Sequence, residues 1–284
     1  MRIYNIKHLF IGITAMLALT NCNDQNMIQN TPPPSNNQEN LSKAKGAQQK
    51  LIPGEYIVLL QNQFDNRISE SVAQQTNVLI NQVRESYDIR NDSITQRYQY
   101  ALKGFSAKLS QNQVETLKKD PRILKVKPNK LYSLGIVNKE KLDDYTPKNV
   151  SIMSQTTPWG ITRVGGAQNG VGKKAWILDT GIDLDHPDLN VDIANSASFI
   201  ATESADDGNG HGTHVAGTIA ALNNSRDVVG LAAGATVVAV RVCFDEAPGP
   251  GQDQCPESSL LNGIDYVANN AQSEDIVNIS IWVQ

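Results

Sequence analysis

A long apolar run, an excess of basic charge and a stock of cysteines are all missing from this sequence. The apolar stretch from Leu9 to Leu19 spans about 11 residues, too short for a bilayer-crossing helix, which takes roughly 20. The formal net charge is -4 over 284 residues, so the basic face that nucleic acid or an anionic membrane surface needs is absent, and no nucleic-acid partner is expected. What is there is ordinary: 19% charged and 40% hydrophobic residues describe a soluble globular protein, and the length allows two domains.

The first residues stand apart. Arg2 and Lys7 precede the short apolar run, the pattern of an export signal over residues 1–22 that is removed on maturation. The run closes on Leu19-Thr20-Asn21-Cys22, which resembles a bacterial lipobox, so Cys22 is either a lipidation site that attaches the protein to a membrane or an incidental cysteine of an ordinary signal. The expected location is outside the cytoplasm, as a cell-envelope lipoprotein or a secreted protein. Residues 23–50, rich in Asn, Gln, Ser and Pro, have too little apolar surface to offset their ordering entropy and read as a flexible tether. With Cys22 set aside, Cys243 and Cys255 remain as an even pair: a disulfide in an oxidising compartment, or two free thiols of a surface loop.

Residues 51–134 form one module. Tyr56–Leu60 reads as a strand after Pro53-Gly54, and Ile68, Val72, Leu79 and Val83 recur at helical spacing. Strands are expected over Tyr98–Leu102 and Phe105–Leu109, a short helix over Gln111–Lys119 opened by Ser110, and a last strand over Ile123–Val126. This β-α-β-β-α-β order is a ferredoxin-like α+β arrangement. The polar stretch 135–153 reads as a linker. From residue 154 to 284 the pattern changes to α/β. Ala175–Leu178, Thr236–Val242 and Ile276–Ile279 look like buried strands, with helices over Val215–Leu222 and Ser258–Asn270. Such alternation predicts a doubly wound parallel sheet with its active residues at the carboxyl ends of strands.

Two clusters carry chemistry. In the first, Ile177-Leu178-Asp179-Thr180-Gly181-Ile182-Asp183 precedes His186-Pro187-Asp188-Leu189; the second is Gly210-His211-Gly212-Thr213-His214-Val215-Ala216-Gly217-Thr218. An aspartate that holds an imidazole in one tautomer and a histidine that accepts a proton are two parts of a nucleophilic triad. Taken singly, Asp179 is also a turn cap, and His211 with His214 is also a metal pair, though it lacks further ligands.

Together the clusters resemble the aspartate and histidine signatures of the subtilase family. The resemblance implies an incomplete subtilisin-like catalytic domain over 154–284, in which Asp179 orients the imidazole, His211 is the general base and His214 is structural. Lys103-Gly104-Phe105-Ser106-Ala107 and Asp120-Pro121-Arg122 likewise resemble the family's inhibitor I9-type propeptide, which implies an intramolecular inhibitor at 51–134 and maturation between Leu134 and Gln155, close to Ser154. It further implies a structural calcium ion held by Gln155, Asp188 and Asn224 side chains and by carbonyls of Leu222, Arg226 and Val228; the alternative for Asn223-Asn224-Ser225 is a plain turn.

The family's remaining parts are not found. Asn278-Ile279-Ser280 begins the substrate-lining strand, but Trp282 stands where a glycine is expected, and no serine has a Gly-Thr-Ser or Gly-x-Ser-x-Gly context. Ser258 and Ser259 read as helix-start caps. The expectation is a serine endopeptidase precursor acting on extracellular or envelope proteins. It is represented here without its nucleophile or oxyanion asparagine, as a truncated product or fragment, and is inactive by itself. The competing expectation is a non-catalytic exported lipoprotein whose propeptide-like module binds and inhibits proteases.

Overall fold

The N-terminal module is an antiparallel sheet with two helices on one face. The computed structural model of the chain describes residues 50–61, 71–134, 154–245 and 254–282. The expected export signal, Cys22, Ile68, nearly all of the tether and the 135–153 linker lie outside the described residues, as does the Trp282 side chain.

In the module, β1 (Leu51–Leu60), α1 (Val72–Ser86), β2 (Ile94–Tyr98), β3 (Gly104–Lys108), α2 (Gln111–Leu117) and β4 (Ile123–Leu134) follow the expected order. The sheet runs β4-β1-β3-β2, each pair antiparallel. Both helices open on a Ser-x-x-Gln capping box, Ser71 with Gln74 and Ser110 with Gln113, which satisfies two otherwise orphaned amides at each start. Val58, Leu60, Phe105 and Ala107 alternate onto one sheet face and bury Ile80, Val83, Val114 and Leu117.

Two expectations for the module need correction. The buried stripe of α1 is Thr76, Ile80 and Val83, while Val72 is exposed in the first turn. The strand expected at Tyr98–Leu102 ends where it was to begin. Residues 99–102 form a bend because Asp265, far along the chain, claims their amides in place of a neighbouring strand.

The second module begins with α3 (Trp159–Arg163) and β5 (Gln168–Asn169), followed by β6 (Lys174–Asp179), β7 (Asn190–Val191), β8 (Ala197–Ser198) and α4 (His211–Ala220). Next come β9 (Ala232–Ala233), β10 (Thr236–Arg241), β11 (Gln254–Pro256), α5 (Glu257–Asn270), β12 (Ile276–Ile279) and β13 (Ile281–Trp282). β12, β6, β10 and β7 form a parallel sheet in that order, with β8 also paired to β10. β6 and β10 are apolar on both faces because both are covered. Ala175, Ile177, Val237 and Ala239 pack with Ala216 and Ala220 of α4, whereas Trp176, Leu178, Val238 and Val240 pack with Val267 of α5. This is the doubly wound pattern. The strand expected to be buried at Ile276–Ile279 is instead exposed at Ile276, Val277 and Ile279, because β12 is an edge strand.

The second face of the antiparallel sheet meets α5, which packs across β2 and β4. Ile57, Tyr98, Ser106 and Asn129 are fully buried there.

Candidate active site

β6 ends on Asp179, fully buried and in register with Arg241 of β10. Its Oδ1 accepts from the Thr180 amide at 2.8 Å and lies 2.7 Å from Nδ1 of His211; Oδ2 is buried without a hydrogen-bond partner. Oδ1 fixes the tautomer: Nδ1 carries the proton toward the carboxylate, and Nε2 keeps a lone pair. His211 is the first residue of α4, and its side chain remains 21% exposed, enough for that lone pair to meet a reactant.

Such close approach of a helix start to a strand end needs glycine. A Cβ on Gly212 would lie 2.1 Å from the Gly181 carbonyl oxygen and 3.1 Å from Cβ of Asp179. Gly210, the N-cap, sits at φ +95°, a left-handed conformation that L side chains rarely adopt. An N-cap glycine has no side chain to offer the exposed amides, and Asp207 supplies what it lacks. Its carboxylate accepts from the amides of Asn209 (3.0 Å), Gly210 (2.9 Å) and Thr213 (2.9 Å) and from the hydroxyls of Thr180 (2.9 Å) and Thr213 (2.6 Å). Burial pushes the Asp207 carboxyl up, but these donors, Thr213 foremost, outweigh it and hold the group below its ordinary value.

Arg241 braces the same loop. Its buried guanidinium pairs with Glu203 and with Asp245 (2.7 Å) and donates to the carbonyls of Ser204 (3.2 Å) and Asp206 (2.5 Å). Asp245 in turn accepts from the Gly208 amide at 2.9 Å. Sequence reasoning missed Asp207 and Arg241. For Asp207 a signal was present: a carboxylate just upstream of a glycine N-cap that has no capping group of its own.

The other site residues fall as follows. Cys243 and Cys255 are both buried and joined in a disulfide, which ties β11 to the end of β10. His214 is exposed while the His211 ring is engaged by Asp179, and among the described residues no three His, Cys, Asp or Glu side chains gather for a metal ion. Ser258 and Ser259 do not cap α5, whose N-cap is Pro256 with no side-chain cap bond. The Ser258 hydroxyl accepts from Asn129, and that of Ser259 donates to the Phe199 carbonyl.

Gln155, Asp188, Leu222, Asn224, Arg226 and Val228 converge. Nε2 of Gln155 is faced by the carbonyl oxygens of Leu222 (2.7 Å), Val228 (3.2 Å) and Arg226 (3.3 Å) and by Oδ1 of Asn224 (3.4 Å). Asn224 also donates to Asp188 at 2.5 Å. An amide nitrogen has two protons to give and here meets four oxygens, so the donor set is richer than the group at its centre can satisfy. Oε1 of Gln155 accepts from the Asn224 amide at 3.1 Å, so the oxygens gathered about Nε2 are three carbonyls and Oδ1 of Asn224, the kind of donor a hard divalent cation takes.

The N-terminal module docks on β11, β13 and α5. The end of β4 runs antiparallel to β11, pairing Leu131 with Pro256, Tyr132 with Cys255 and Ser133 with Gln254. On its other edge Ser133 and Leu134 pair with Trp282 and Ile281 of β13. Asp265 of α5 accepts from the amides of Gln99 (2.6 Å), Tyr100 (2.7 Å), Ala101 (2.7 Å) and Leu102 (3.3 Å). Asn129, fully buried, accepts from the Ser258 amide at 3.0 Å.

Comparison with known proteins gives two family matches: residues 172–282 match the subtilase family and residues 55–135 the peptidase inhibitor I9 family. An alkaline protease of Alkalihalobacillus alcalophilus is 48% identical over 139 residues, 46% of this chain and 34% of that protein. A thermostable alkaline protease of Halalkalibacterium halodurans is 38% identical over 206 residues, 70% of this chain and 48% of that protein. The chain therefore spans less than half the length of these relatives. Among solved structures, a psychrophilic subtilisin-like protease of Pseudoalteromonas sp. AS-11 is 32% identical, with a TM-score of 0.30 over 41% of this chain and 27% of that one.

Proposed function

The chain carries a subtilase domain behind a peptidase inhibitor I9 domain, and from that premise we propose that it is the precursor form of a subtilisin-like serine endopeptidase held shut by its own I9 module. The observation that supports this most directly is the 2.7 Å bond between His211 and buried Asp179. In peptide hydrolysis Nε2 of His211 takes the proton of an attacking serine hydroxyl and returns it to the leaving amine, while Asp179 holds the ring and stabilises the imidazolium. None of the serines among the 284 residues stands in a Gly-Thr-Ser context. Asp179 and His211 thus supply two parts of three, and the chain by itself is inactive.

Inhibition follows from the end of β4, which lies between β11 and β13 as an added strand. An extended peptide or protein substrate would take that place by the same main-chain pairing. Maturation falls between Leu134 and Gln155, close to Ser154. Thr156 is already docked, its amide on the Asp227 carbonyl at 2.9 Å, so a cut before Gln155 leaves the new terminus anchored. Calcium, when bound, supplies charge that ties this terminus to the 222–228 loop through Gln155, Asp188, Asn224 and the three carbonyls. Export follows the same reading, with Cys22 as the lipid attachment. No described helix is long and apolar enough to cross a membrane.

The test is hydrolysis of an unfolded protein substrate by this chain alone and by this chain joined to the serine-bearing remainder of a subtilase domain. The chain alone is expected to show none. The joined form is expected to be active, to be blocked by a serine-directed covalent reagent, and to lose about 10⁴-fold in kcat on Asp179→Asn, which leaves the wrong tautomer. Activity of the joined form that is indifferent to Asp179→Asn refutes the assignment.

A further inference from the structure

Glu257 opens α5 immediately after β11, the strand on which the end of β4 is docked, and it is 7% exposed. Its Oε1 accepts from Nζ of Lys127 at 2.7 Å and from the Tyr132 hydroxyl at 2.9 Å. Both donors belong to the I9 module. Its Oε2 is buried and has no hydrogen-bond partner. Burial and the neighbouring Glu257 carboxylate push the Tyr132 phenol up to about 12, so it stays protonated as a donor.

A carboxylate this buried is costly unless it is paired and fully hydrogen-bonded. Here its compensation is borrowed from the docked module and half of its acceptor capacity is unused. Any strand that replaces β4 on β11 removes both donors and has to provide new ones. A phenol fills one oxygen. A guanidinium fills both, in the two-pronged geometry that suits a carboxylate. An apolar side chain leaves a buried charge unpaired, which is how a site rejects a ligand lacking the required donor.

We propose that Glu257 is a specificity-determining residue of the strand groove, selecting extended segments that carry a basic side chain where Tyr132 now lies. This rests on the reading that β4 occupies the place of substrate. Glu257 takes no part in bond cleavage and acts on which segment is held.

The β4 strand can report the groove's preference within the full chain. Hydrogen exchange of the Tyr132–Leu134 amides is measured for Tyr132, Tyr132→Phe and Tyr132→Arg, each with Glu257 and with Glu257→Gln, and core amides of β1 and β6 verify that every variant is folded. With Glu257, Tyr132→Phe is expected to exchange about tenfold faster, the loss of one hydrogen bond to a charged group, and Tyr132→Arg to be protected at least as well as Tyr132. With Glu257→Gln the advantage of Arg over Phe is expected to vanish. The same ranking with and without Glu257, in a strand that is protected, overturns the proposal and leaves the substrate-groove reading intact. No protection of Tyr132–Leu134 in any folded variant overturns that reading and the proposal with it. Tyr132→Phe removes a single oxygen from a half-exposed site, so it remains informative even if Glu257→Gln does not fold.

Discussion

The contact between Asp265 and the 99–102 bend holds the I9 module on α5, and its removal has a calculable cost. Three amides donate to one buried carboxylate at 2.6–2.7 Å, and a fourth, at 3.3 Å, shares an oxygen already used twice. Counting only the three short bonds, at the lower end for hydrogen bonds to a charged group, Asp265→Ala weakens docking by about 4 kcal/mol. That is a shift of about 10³ in the docking equilibrium. Asp265→Asn keeps an acceptor oxygen but loses the charge, and about tenfold to a hundredfold is expected. The bend's own amides are poor reporters, because they lose their acceptor whether or not the module moves. The Ser258 amide is better: it donates to Asn129 across the same interface and does not touch Asp265. Its hydrogen exchange is expected to accelerate by about 10³ in Asp265→Ala. Module-core amides beside Ile80 should keep their protection. Acceleration at Ser258 of less than about tenfold would refute the view that Asp265 carries the docking, and would shift the weight to the β4 strand pairs.

Two further outcomes are expected. The Arg122 guanidinium, with its hydrogen bonds to Asp120, holds that carboxyl down at about 2. A carboxyl depressed in the folded state contributes its stability above the unfolded value, near 3.9, and loses it as pH falls toward 2; the contribution is about 2 kcal/mol. Asp120→Asn should therefore be less stable than the parent in urea at pH 7, by up to that amount, with the gap closing between pH 4 and pH 2; a gap independent of pH would contradict the assignment. Removing calcium with a chelator should lower the melting temperature. An ion at a hundred times its Kd contributes about 2.7 kcal/mol, or roughly 5–10 °C for a domain of this size, and Asp188→Asn should reduce the shift. A melting temperature unmoved by chelator sinks the calcium site.

How much of this was legible in the sequence depends on how far each cause acts along the chain. β6 and β10 showed as apolar runs because both of their faces are covered, and α2 was marked at its start by the Ser110 cap, a contact three residues long. The Asp and His signatures were legible because backbone constraints and reactive groups sit within a few residues of each other, as at Gly210-His211-Gly212. Asp207 was not singled out although its signal is local: a carboxylate three residues before Gly210, an N-cap with no side chain of its own. The 99–102 bend was out of reach: its acceptor, Asp265, lies 163–166 residues away. β4 was expected to stop at Val126 and runs to Leu134 because its partners there, β11 and β13, belong to the other module. Local pattern carried the elements; what joins the modules is written in pairs too distant for pattern to find.

The strand shared by the two modules also works as a gauge of shape. Ser133 is bracketed on both edges, by Gln254 and by Trp282, so β11 and β13 stand two inter-strand spacings apart, roughly 10 Å between their axes. Once β4 withdraws, that slot is one extended chain wide. An α-helix with its side chains is about 10–12 Å across and spends its own amides internally, so it can neither enter nor pair. A folded protein presents few segments that are extended, unpaired and free to thread between two rails, whereas an unfolded one presents many. Before any side chain is read, the slot sorts polypeptides by whether they are already undone. On the proposed reading of this slot as the substrate groove, its width favours unfolded protein over intact neighbours.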